Sequence, residues 1–430
     1  MRTNSRRSHA TRANRKRPHS ASARWDIGIA TLLVLILGLV IVSKGNGIGA
    51  SASSSTNTNA LHPGSPEVHT VIDLHNPQLH PRQLAYDSKR NGIWFWTSLL
   101  EGDDGCENQV YFYDIQQQRL ASWPIYSGDW SSQLLSGIAV APNGDVWIGW
   151  NDNLVRFQPS TGNSTRYALP AQARYPLPAA VIGDLPADLG IADLAITQNG
   201  TIWIARYAAL SLTTFDPATQ AFQEYPLPST AGDPAKLAIG PDGHVFFTTN
   251  LSAVHPGHAA EMTGEFAPES RSTVVYPQSA QALTITPTGD LYTAGPTTDS
   301  SQGPSLARMP ATTRAAALQQ RSLPTFEQAT VPLAVADRSL AADVHGRVWM
   351  AISGEPKIAV FDPATGKLQQ YSYPVPSTIQ YISVPYAPGA PSASPVDTIP
   401  ITPIAAMVTD EQGHLWFIRD LSDQIEEVVA

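Results

Sequence analysis

One pattern of apolar and polar positions recurs seven times between residues 83 and 430. A short apolar strand is followed by a tight turn that contains glycine, and the next strand alternates Val or Ile with an aromatic residue, usually Trp. Asn-Gly and Asp-Gly favour two-residue hairpins, because both positions accept a positive φ. The pattern therefore predicts seven β-hairpins, 43 to 67 residues apart, with turns at Gly92, Gly144, Gly200, Gly243, Gly289, Gly346 and Gly413.

A second pair of strands follows in the best-preserved units. The segments 154–170, 212–228 and 358–374 each have the pattern strand, Pro-containing turn, strand. Four short strands in a unit of about 45 residues are typical of a β-propeller blade. We therefore predict an all-β fold, a seven-bladed β-propeller over residues 67–430 with a Pro-rich insertion at 384–403.

The aromatic residues stand at the same place in every unit, which favours packing between blades over a role in binding. They are Trp94, Trp147, Trp203, Phe246, Tyr292, Trp349 and Trp416.

The first and last segments of the repeat region together make up one complete unit. The last unit stops at 424–430 after three strands, whereas residues 68–77 have the pattern of an outer strand without a blade. Pairing the two ends leaves no open edge in the ring. We therefore predict that residues 68–74 complete the last blade.

Charge divides the chain into a basic tail and an acidic body, with a net charge of +8 over residues 1–44 and −17 over the remainder. The last part of the tail region contains sixteen consecutive uncharged residues, 27–42, just before the acidic body. As a helix they would be about 24 Å long, close to the thickness of a hydrocarbon core. Basic residues on one side place the N-terminus in the cytoplasm. The sequence thus predicts a cytoplasmic tail at 1–25, a transmembrane signal anchor at 26–43, a flexible Gly/Ser/Thr linker at 44–66 and a propeller outside the cell membrane.

The alternative is a signal peptide cleaved near Ala52, where small residues alternate, which would make the protein secreted. Both interpretations export the body. The single cysteine, Cys106, excludes an internal disulfide framework, and the net charge of −9 argues against nucleic acid as a partner.

The repeat resembles a known family. The unit IAVAPNGDVWIGWNDNLVRFQPSTGNSTRYALP (138–170), the segment IGPDGHVFFTTN (239–250), FDPATG (361–366) and YPLP (225–228) are similar to the repeats of the streptogramin (virginiamycin B) lyase propellers. NHL and SMP-30-like lactonase propellers share this general pattern. The resemblance implies the propeller fold and a lyase that opens the lactone of a cyclic depsipeptide by elimination, with His and Glu residues and a magnesium ion.

The family's catalytic pattern does not carry over residue by residue. The positions of its histidines hold Arg82, Ser136, Ala192, Ala235, Gln281, Arg338 and Ala405. The positions of its glutamates hold Thr97, Trp150, Arg206, Thr249, Gly295, Ile352 and Arg419. Since none is His or Glu, the resemblance implies the fold and assigns no catalytic residue.

The start of each first strand and the end of each second strand share one face of a propeller. We expect the long insertions 97–109, 171–190, 250–261, 296–304, 310–336 and 374–403 on that face. Long loops on a rigid scaffold are a common place for binding. The sequence therefore predicts that this face carries the function.

A first candidate site there is a set of arginines accompanied by Trp150. Converging guanidinium groups favour a carboxylate, a phosphate or an acidic sugar. The alternative is that they pair with nearby acids such as Asp193 or Asp420. The ligand-binding candidates are Arg82, Arg206, Arg338, Arg419 and Trp150.

Two loops carry further candidates. His255, His258 and Glu261 offer two imidazoles and a carboxylate for a divalent metal or for acid–base catalysis, the alternative being an exposed loop. A Gly-containing acidic loop offers calcium ligands, the alternative being solvated acidic residues. Its carboxylates are Glu101, Asp103, Asp104 and Glu107.

Three functions follow from these patterns. The favoured one is an extracytoplasmic propeller that binds a small-molecule, glycan or protein ligand. The others are a lyase-like enzyme acting on a cyclic ester with reorganised catalytic groups, and a lactonase-type hydrolase with Mg or Ca in the channel. Loss of the family's His/Glu pattern favours the first, because function depends on the site and not on the fold.

Overall fold

A computed structural model describes the propeller part of the chain. The described residues are 68–76, 79–99, 108–126, 135–150, 152–170, 190–206, 209–228, 231–250, 262–295, 305–319, 322–329, 331, 335–353, 355–374, 404–419 and 422–429. Among them, no helix is long and apolar enough to cross a membrane. The predicted tail, anchor and linker, at 1–66, and the Pro-rich insertion at 384–403 lie outside these residues.

The described residues form 28 strands and one helix. Blade 1 comprises β2 (Leu79–Asp87), β3 (Gly92–Leu99), β4 (Asn108–Asp114) and β5 (Arg119–Tyr126). Blade 2 comprises β6 (Leu135–Val140), β7 (Val146–Trp150), β8 (Asn153–Gln158) and β9 (Asn163–Ala168). Blade 3 comprises β10 (Ile191–Ile196), β11 (Ile202–Arg206), β12 (Ser211–Asp216) and β13 (Ala221–Pro226). Blade 4 comprises β14 (Asp233–Ile239), β15 (Val245–Asn250), β16 (Thr263–Ala267) and β17 (Ser272–Tyr276).

Blade 5 comprises β18 (Ala282–Ile285), β19 (Leu291–Gly295), β20 (Ser305–Met309), helix α1 (Ala311–Gln319) and β21 (Glu327–Gln328). Blade 6 comprises β22 (Val335–Ala342), β23 (Val348–Ile352), β24 (Lys357–Asp362) and β25 (Lys367–Ser372). Blade 7 comprises β26 (Ile404–Thr409), β27 (Leu415–Arg419), β28 (Gln424–Val428) and, from the other end of the body, β1 (Val68–Asp73).

Seven antiparallel four-stranded sheets confirm the predicted seven-bladed propeller. The first strands of successive blades contact one another in a closed ring, from β2 through β6, β10, β14, β18, β22 and β26 back to β2. In blade 7 the strand order is β26, β27, β28, β1, with Val68 opposite Val428 and Asp73 opposite Gln424. The prediction that residues 68–74 complete the last blade is therefore confirmed, with the strand ending at Asp73.

The hairpin turns differ from the two-residue type that the sequence predicted. In blade 2, Gly144 N donates to Ala141 O at 2.7 Å, and Ala141 N donates to Asp145 O at 2.8 Å. This is a three-residue loop, a type I turn closed by a glycine with φ of 88°. The same bonds recur at Gly200, Gly243, Gly289, Gly346 and Gly413.

Blade 1 is the exception among these turns. Asn91, not Gly92, takes the positive φ, at 48°. Gly92 is needed for a different reason, because a Cβ there would lie 2.3 Å from the ring of Phe112. The sequence motif is therefore the same, whereas the physical role of its glycine differs.

The repeated aromatic residues form the packing between blades, as predicted. Trp94, Trp147, Trp349 and Trp416 are among the largest fully buried side chains. Trp147 of blade 2 lies 5.6 Å from the ring of Phe215 in blade 3, centroid to centroid. Such contacts stabilise the ring because each blade alone would expose both apolar faces of its sheet.

The propeller has two distinct faces. We call the side with the glycine turns the turn face, and the side where the first strands begin the loop face. Helix α1 connects the third and fourth strands of blade 5, and Ala311 N donates to Asp290 Oδ1 beside the Gly289 turn at 2.8 Å. The helix therefore lies on the turn face, and the expectation that all of 310–336 lies on the loop face was wrong.

Candidate functional site

Among the described inner strands, the side chain of Asp193 links neighbouring blades. Asp193 Oδ2 in β10 accepts from Leu237 N in β14 at 3.0 Å, and a Cβ on Gly137 in β6 would lie 3.0 Å from Asp193 Oδ1. Loss of solvent raises the pKa of Asp193 above its usual value, while the charge of Lys236 opposes that rise. This carboxylate thus contacts the inner strands of three successive blades.

The positions that the lyase resemblance would fill with His and Glu lie at the loop-face ends of the first and second strands. Ala192 and Ala235 are buried there in β10 and β14. Gly149 lies beside Ser136, because a Cβ on Gly149 would be 2.4 Å from Ser136 Oγ. Small packed side chains therefore occupy three of these positions, Ser136, Ala192 and Ala235.

Two of the predicted ligand-binding arginines hold neighbouring blades together. Arg206 Nη1 at the end of β11 donates to Pro170 O of blade 2 at 3.1 Å. Arg419 Nη1 at the end of β27 donates to Pro374 O of blade 6, also at 3.1 Å. Both side chains are buried. In both blades, an arginine at the end of the second strand therefore links its blade to the preceding one.

Arg419 also pairs with a buried acid, Glu426. Its Nη2 lies 2.7 Å from Glu426 Oε1, and its Nε donates to Glu426 Oε2 at 3.0 Å. Burial raises the pKa of Glu426, and Arg419 opposes that rise. This ion pair accounts for the arginine without an external ligand.

The remaining candidates are placed as follows. Arg82 is half-buried in β2, and Trp150 is packed in the core between blades 1 and 2. Arg338 belongs to β22, but its side chain is outside the described part of the structure. The two candidate loops also lie outside the described residues, and with them His255, His258, Glu261, Glu101, Asp103, Asp104 and Glu107.

The turn face carries an Asp–Trp motif that was not predicted from the sequence. Trp94 Nε1 donates to Asp87 Oδ2 at 3.0 Å, and Trp416 Nε1 donates to Asp410 Oδ2 at 3.1 Å. Blade 6 repeats this bond at 3.3 Å. The carboxylate also accepts backbone N–H groups of its turn, so it fixes the hairpin to the buried indole.

In blade 7 this motif gains a histidine and a second carboxylate. His414 Nδ1 lies 3.4 Å from Asp410 Oδ2 and 3.2 Å from Glu427 Oε1. Hydrogen bonding to the two carboxylates raises the pKa of His414 to about 9. One ligand atom from each of the three residues lies within 4.8 Å of the others.

Blade 4 carries a related cluster around Glu265, whose side chain is buried. Glu265 contacts His244 Nδ1 and the hydroxyl of Tyr276, and it accepts from Arg314 Nη1 of helix α1 at 2.8 Å. Desolvation opposes ionisation, but these three partners lower the pKa of Glu265. Burial and the adjacent Glu265 charge raise the pKa of Tyr276. The carboxylate is therefore held ionised inside the protein.

A sequence signal for both clusters was present. Histidine follows the turn glycine in two units, at Gly243-His244 and Gly413-His414. The partners could not be assigned from the sequence, because Glu265 and Glu427 reach the histidines only through strand register, and Arg314 comes from the following blade.

No protein-family model and no curated protein matches the sequence. Solved structures match the fold. A catalytically inactive histidine-to-alanine variant of virginiamycin B lyase from Staphylococcus aureus, solved with quinupristin, is 15% identical with a TM-score of 0.59 and covers 85% of this chain and 100% of its own. A streptogramin B lyase structure is 15% identical with a TM-score of 0.57, covering 84% and 97%.

Other matches come from unrelated functions. The structure of U3-55K is 10% identical with a TM-score of 0.54 and covers 85% of this chain and 100% of its own. Similarity at this level establishes a shared fold and does not transfer an activity. The chain is therefore a seven-bladed β-propeller with lyase-like structural neighbours.

Proposed function

We propose that this protein is a membrane-anchored extracytoplasmic β-propeller that binds a small-molecule, glycan or protein ligand on its loop face, without catalysing a reaction. The propeller would be a rigid scaffold for the long loops between and within blades. The anchor would be residues 27–42, with the basic tail in the cytoplasm.

One observation supports this proposal above the others. The fourteen positions where the lyase resemblance would place His and Glu hold neither residue. Among the described ones, Ala192, Ala235 and Ser136 are buried in packed strands, and Arg419 is neutralised by Glu426. Elimination needs a positioned base and acid, and these strands do not supply them.

The ligand chemistry follows from the loop face. Arg206 and Arg419 donate to backbone carbonyls of the preceding blade, and Arg82 and Arg338 are the other two arginines that the sequence predicts on that face. We propose that a ligand with a carboxylate or an acidic sugar pairs with guanidinium groups and with the inserted loops of this face.

The test uses the full chain in detergent, incubated with quinupristin and Mg²⁺. Mass spectrometry follows ring opening, and tryptophan fluorescence follows binding. The proposal predicts an intact lactone after prolonged incubation at high protein concentration. Ring-opened product that disappears in His255→Ala would contradict it, because the loop at 250–261 would then carry the catalytic groups.

The second candidate function is a lyase-like enzyme that opens a cyclic ester. It is supported by the resemblance of the repeat motifs to those of the lyase family, and a lyase structure from S. aureus that shares the fold covers 85% of this chain. His255, His258 and Glu261 would then act as acid–base or metal-binding residues, in a lyase or in a metal-dependent lactonase-type hydrolase. A divalent metal, Mg or Ca, would be the cofactor of either enzyme.

A further inference from the structure

Blades 4 and 7 share a pair of residues that the other blades lack. His244 and His414 directly follow the turn glycine of their blades. Each contacts a glutamate of the third strand, Glu265 or Glu427, which lies opposite the repeated aromatic of the second strand. The two sites are therefore equivalent by register, and they can be compared atom by atom.

In blade 4 an arginine balances the carboxylates. Arg314 Nη2 lies 2.6 Å from Asp242 Oδ2, and Arg314 Nη1 lies 2.8 Å from Glu265 Oε1. The guanidinium group comes from helix α1 and is almost fully buried. The two carboxylates of blade 4 thus contact both an imidazole and a guanidinium group.

Blade 7 has the carboxylates without the arginine. Its fourth strand is β1 from the start of the body, so no connection with a helix joins its third and fourth strands. Within the described part of the chain, no Lys or Arg pairs with Asp410 or Glu427. The neighbouring Arg347 is bound to Asp343 at 2.6 Å and to the carbonyl of Gly413. The site therefore lacks one unit of positive charge relative to blade 4.

The donor atoms of blade 7 have the spacing of metal ligands. His414 Nδ1 lies 3.4 Å from Asp410 Oδ2 and 3.2 Å from Glu427 Oε1. Two ligands about 2.0–2.1 Å from a tetrahedral ion are about 3.3 Å apart. One imidazole and two carboxylates are a ligand set that zinc and neighbouring divalent ions accept.

We propose that Asp410, His414 and Glu427 bind a divalent first-row transition metal ion of the zinc class. His69 lies opposite Glu427 in β1 and so shares its face of the sheet. Water completes the coordination. In blade 7 the ion supplies the positive charge that Arg314 supplies at the equivalent site of blade 4. It also links the hairpin of blade 7 to β28, the strand that pairs with β1.

The test is metal binding by the full chain in detergent after treatment with a chelator. Co²⁺ is titrated while visible absorption reports its coordination, and competition with Zn²⁺ gives the affinity. We expect tight binding of one equivalent, weakened about 100-fold or more in His414→Gln and in Glu427→Gln, since even partners of metal ligands contribute about 10–100-fold. The matched control is His244→Gln in blade 4, where Arg314 occupies the site, and it should leave the affinity unchanged.

Two results would overturn the proposal. One is that the wild-type chain binds neither ion, which would show that a protonated His414 alone balances the carboxylates. The other is that binding survives Glu427→Gln, a near-isosteric change, but is lost in the double variant His255→Gln/His258→Gln, which would assign the metal to that loop. Circular dichroism and size-exclusion chromatography confirm folding of each variant, so that lost binding is attributed to the ligands.

Discussion

Arg314 is the residue whose replacement tests the packing of the turn face most sharply. It reaches from α1 of blade 5 into blade 4, where its guanidinium group contacts Glu265 and lies over the ring of Phe246, 4.9 Å from the centroid. The Glu265 side chain is only 2% exposed. Replacing Arg314 with Met keeps the apolar stem and removes the charge, so the glutamate loses the cation that offsets its burial.

The magnitude follows from the burial of both groups. Removing one partner of a buried ion pair costs about 3–5 kcal/mol. Arg314 Nε is buried without a hydrogen-bond partner among the described residues. Replacing the arginine also removes the desolvation cost of this atom, so we expect a loss of stability near the lower end of that range. An unfolding entropy of about 2.1 cal/mol/K per residue, over about 360 residues, converts this cost to a Tm decrease of about 4–7 °C.

The assay is thermal unfolding followed by circular dichroism, with two comparisons. In a Glu265→Gln background Arg314→Met should cost at least about 2 kcal/mol less, because no buried carboxylate is left without its partner. Arg308→Met is the matched control. Its pair with Asp290 spans 2.6 Å, but the arginine side chain is one-third exposed, so about 1 kcal/mol or less is expected.

Equal costs of Arg314→Met in both backgrounds would contradict the buried ion pair, because the arginine would then act through packing alone. A decrease no larger than that of Arg308→Met would refute it as well.

Three further predictions concern stability. Gly92→Ala should lower Tm by several degrees on thermal unfolding, because the new Cβ meets the ring of Phe112 at 2.3 Å, and Phe112→Leu should restore part of the loss. Arg419→Met should cost about 3–5 kcal/mol in urea unfolding by leaving the buried Glu426 without its partner, and an unchanged midpoint would contradict the pairing. The pKa of His244 is raised, chiefly by its hydrogen bond to a carboxylate, so its stabilisation is complete below its ordinary pKa of about 6.5 and is lost as pH rises through the raised value. The Tm difference between wild type and His244→Gln should therefore shrink from pH 5 to pH 10, and a constant difference would contradict it.

The blade architecture was predictable because its signal is local and repeated. Each hairpin is specified within about a dozen residues by alternating apolar positions and a turn glycine. Closure by residues 68–74 could be inferred because the last unit has only three predicted strands, while a single strand without a blade precedes the first unit. The turn type was not predictable, because Asn-Gly and Asp-Gly suit both two-residue turns and type I turns closed by a glycine bulge.

The clusters on the turn face depend on longer-range geometry. Arg314 and Glu265 are 49 residues apart and belong to different blades, so neither position indicates the other. The links that Arg206 and Arg419 make between blades were likewise not evident from the sequence, since the backbone carbonyls of Pro170 and Pro374, to which they donate, carry no sequence signal. Repeated position could have indicated a structural role for both, as it did for the tryptophans.

The most direct test of an exported, membrane-anchored propeller uses the single cysteine of the chain, Cys106. Intact cells that express the full chain are treated with a membrane-impermeant maleimide, before and after lysis and denaturation. The matched control is Ser5→Cys in a Cys106→Ser background, which reports on the tail. We predict that Cys106 is labelled in intact cells, that the tail cysteine is labelled only after lysis, and that the protein stays in the membrane fraction. Labelling of the tail cysteine in intact cells, with Cys106 protected until lysis, would contradict it.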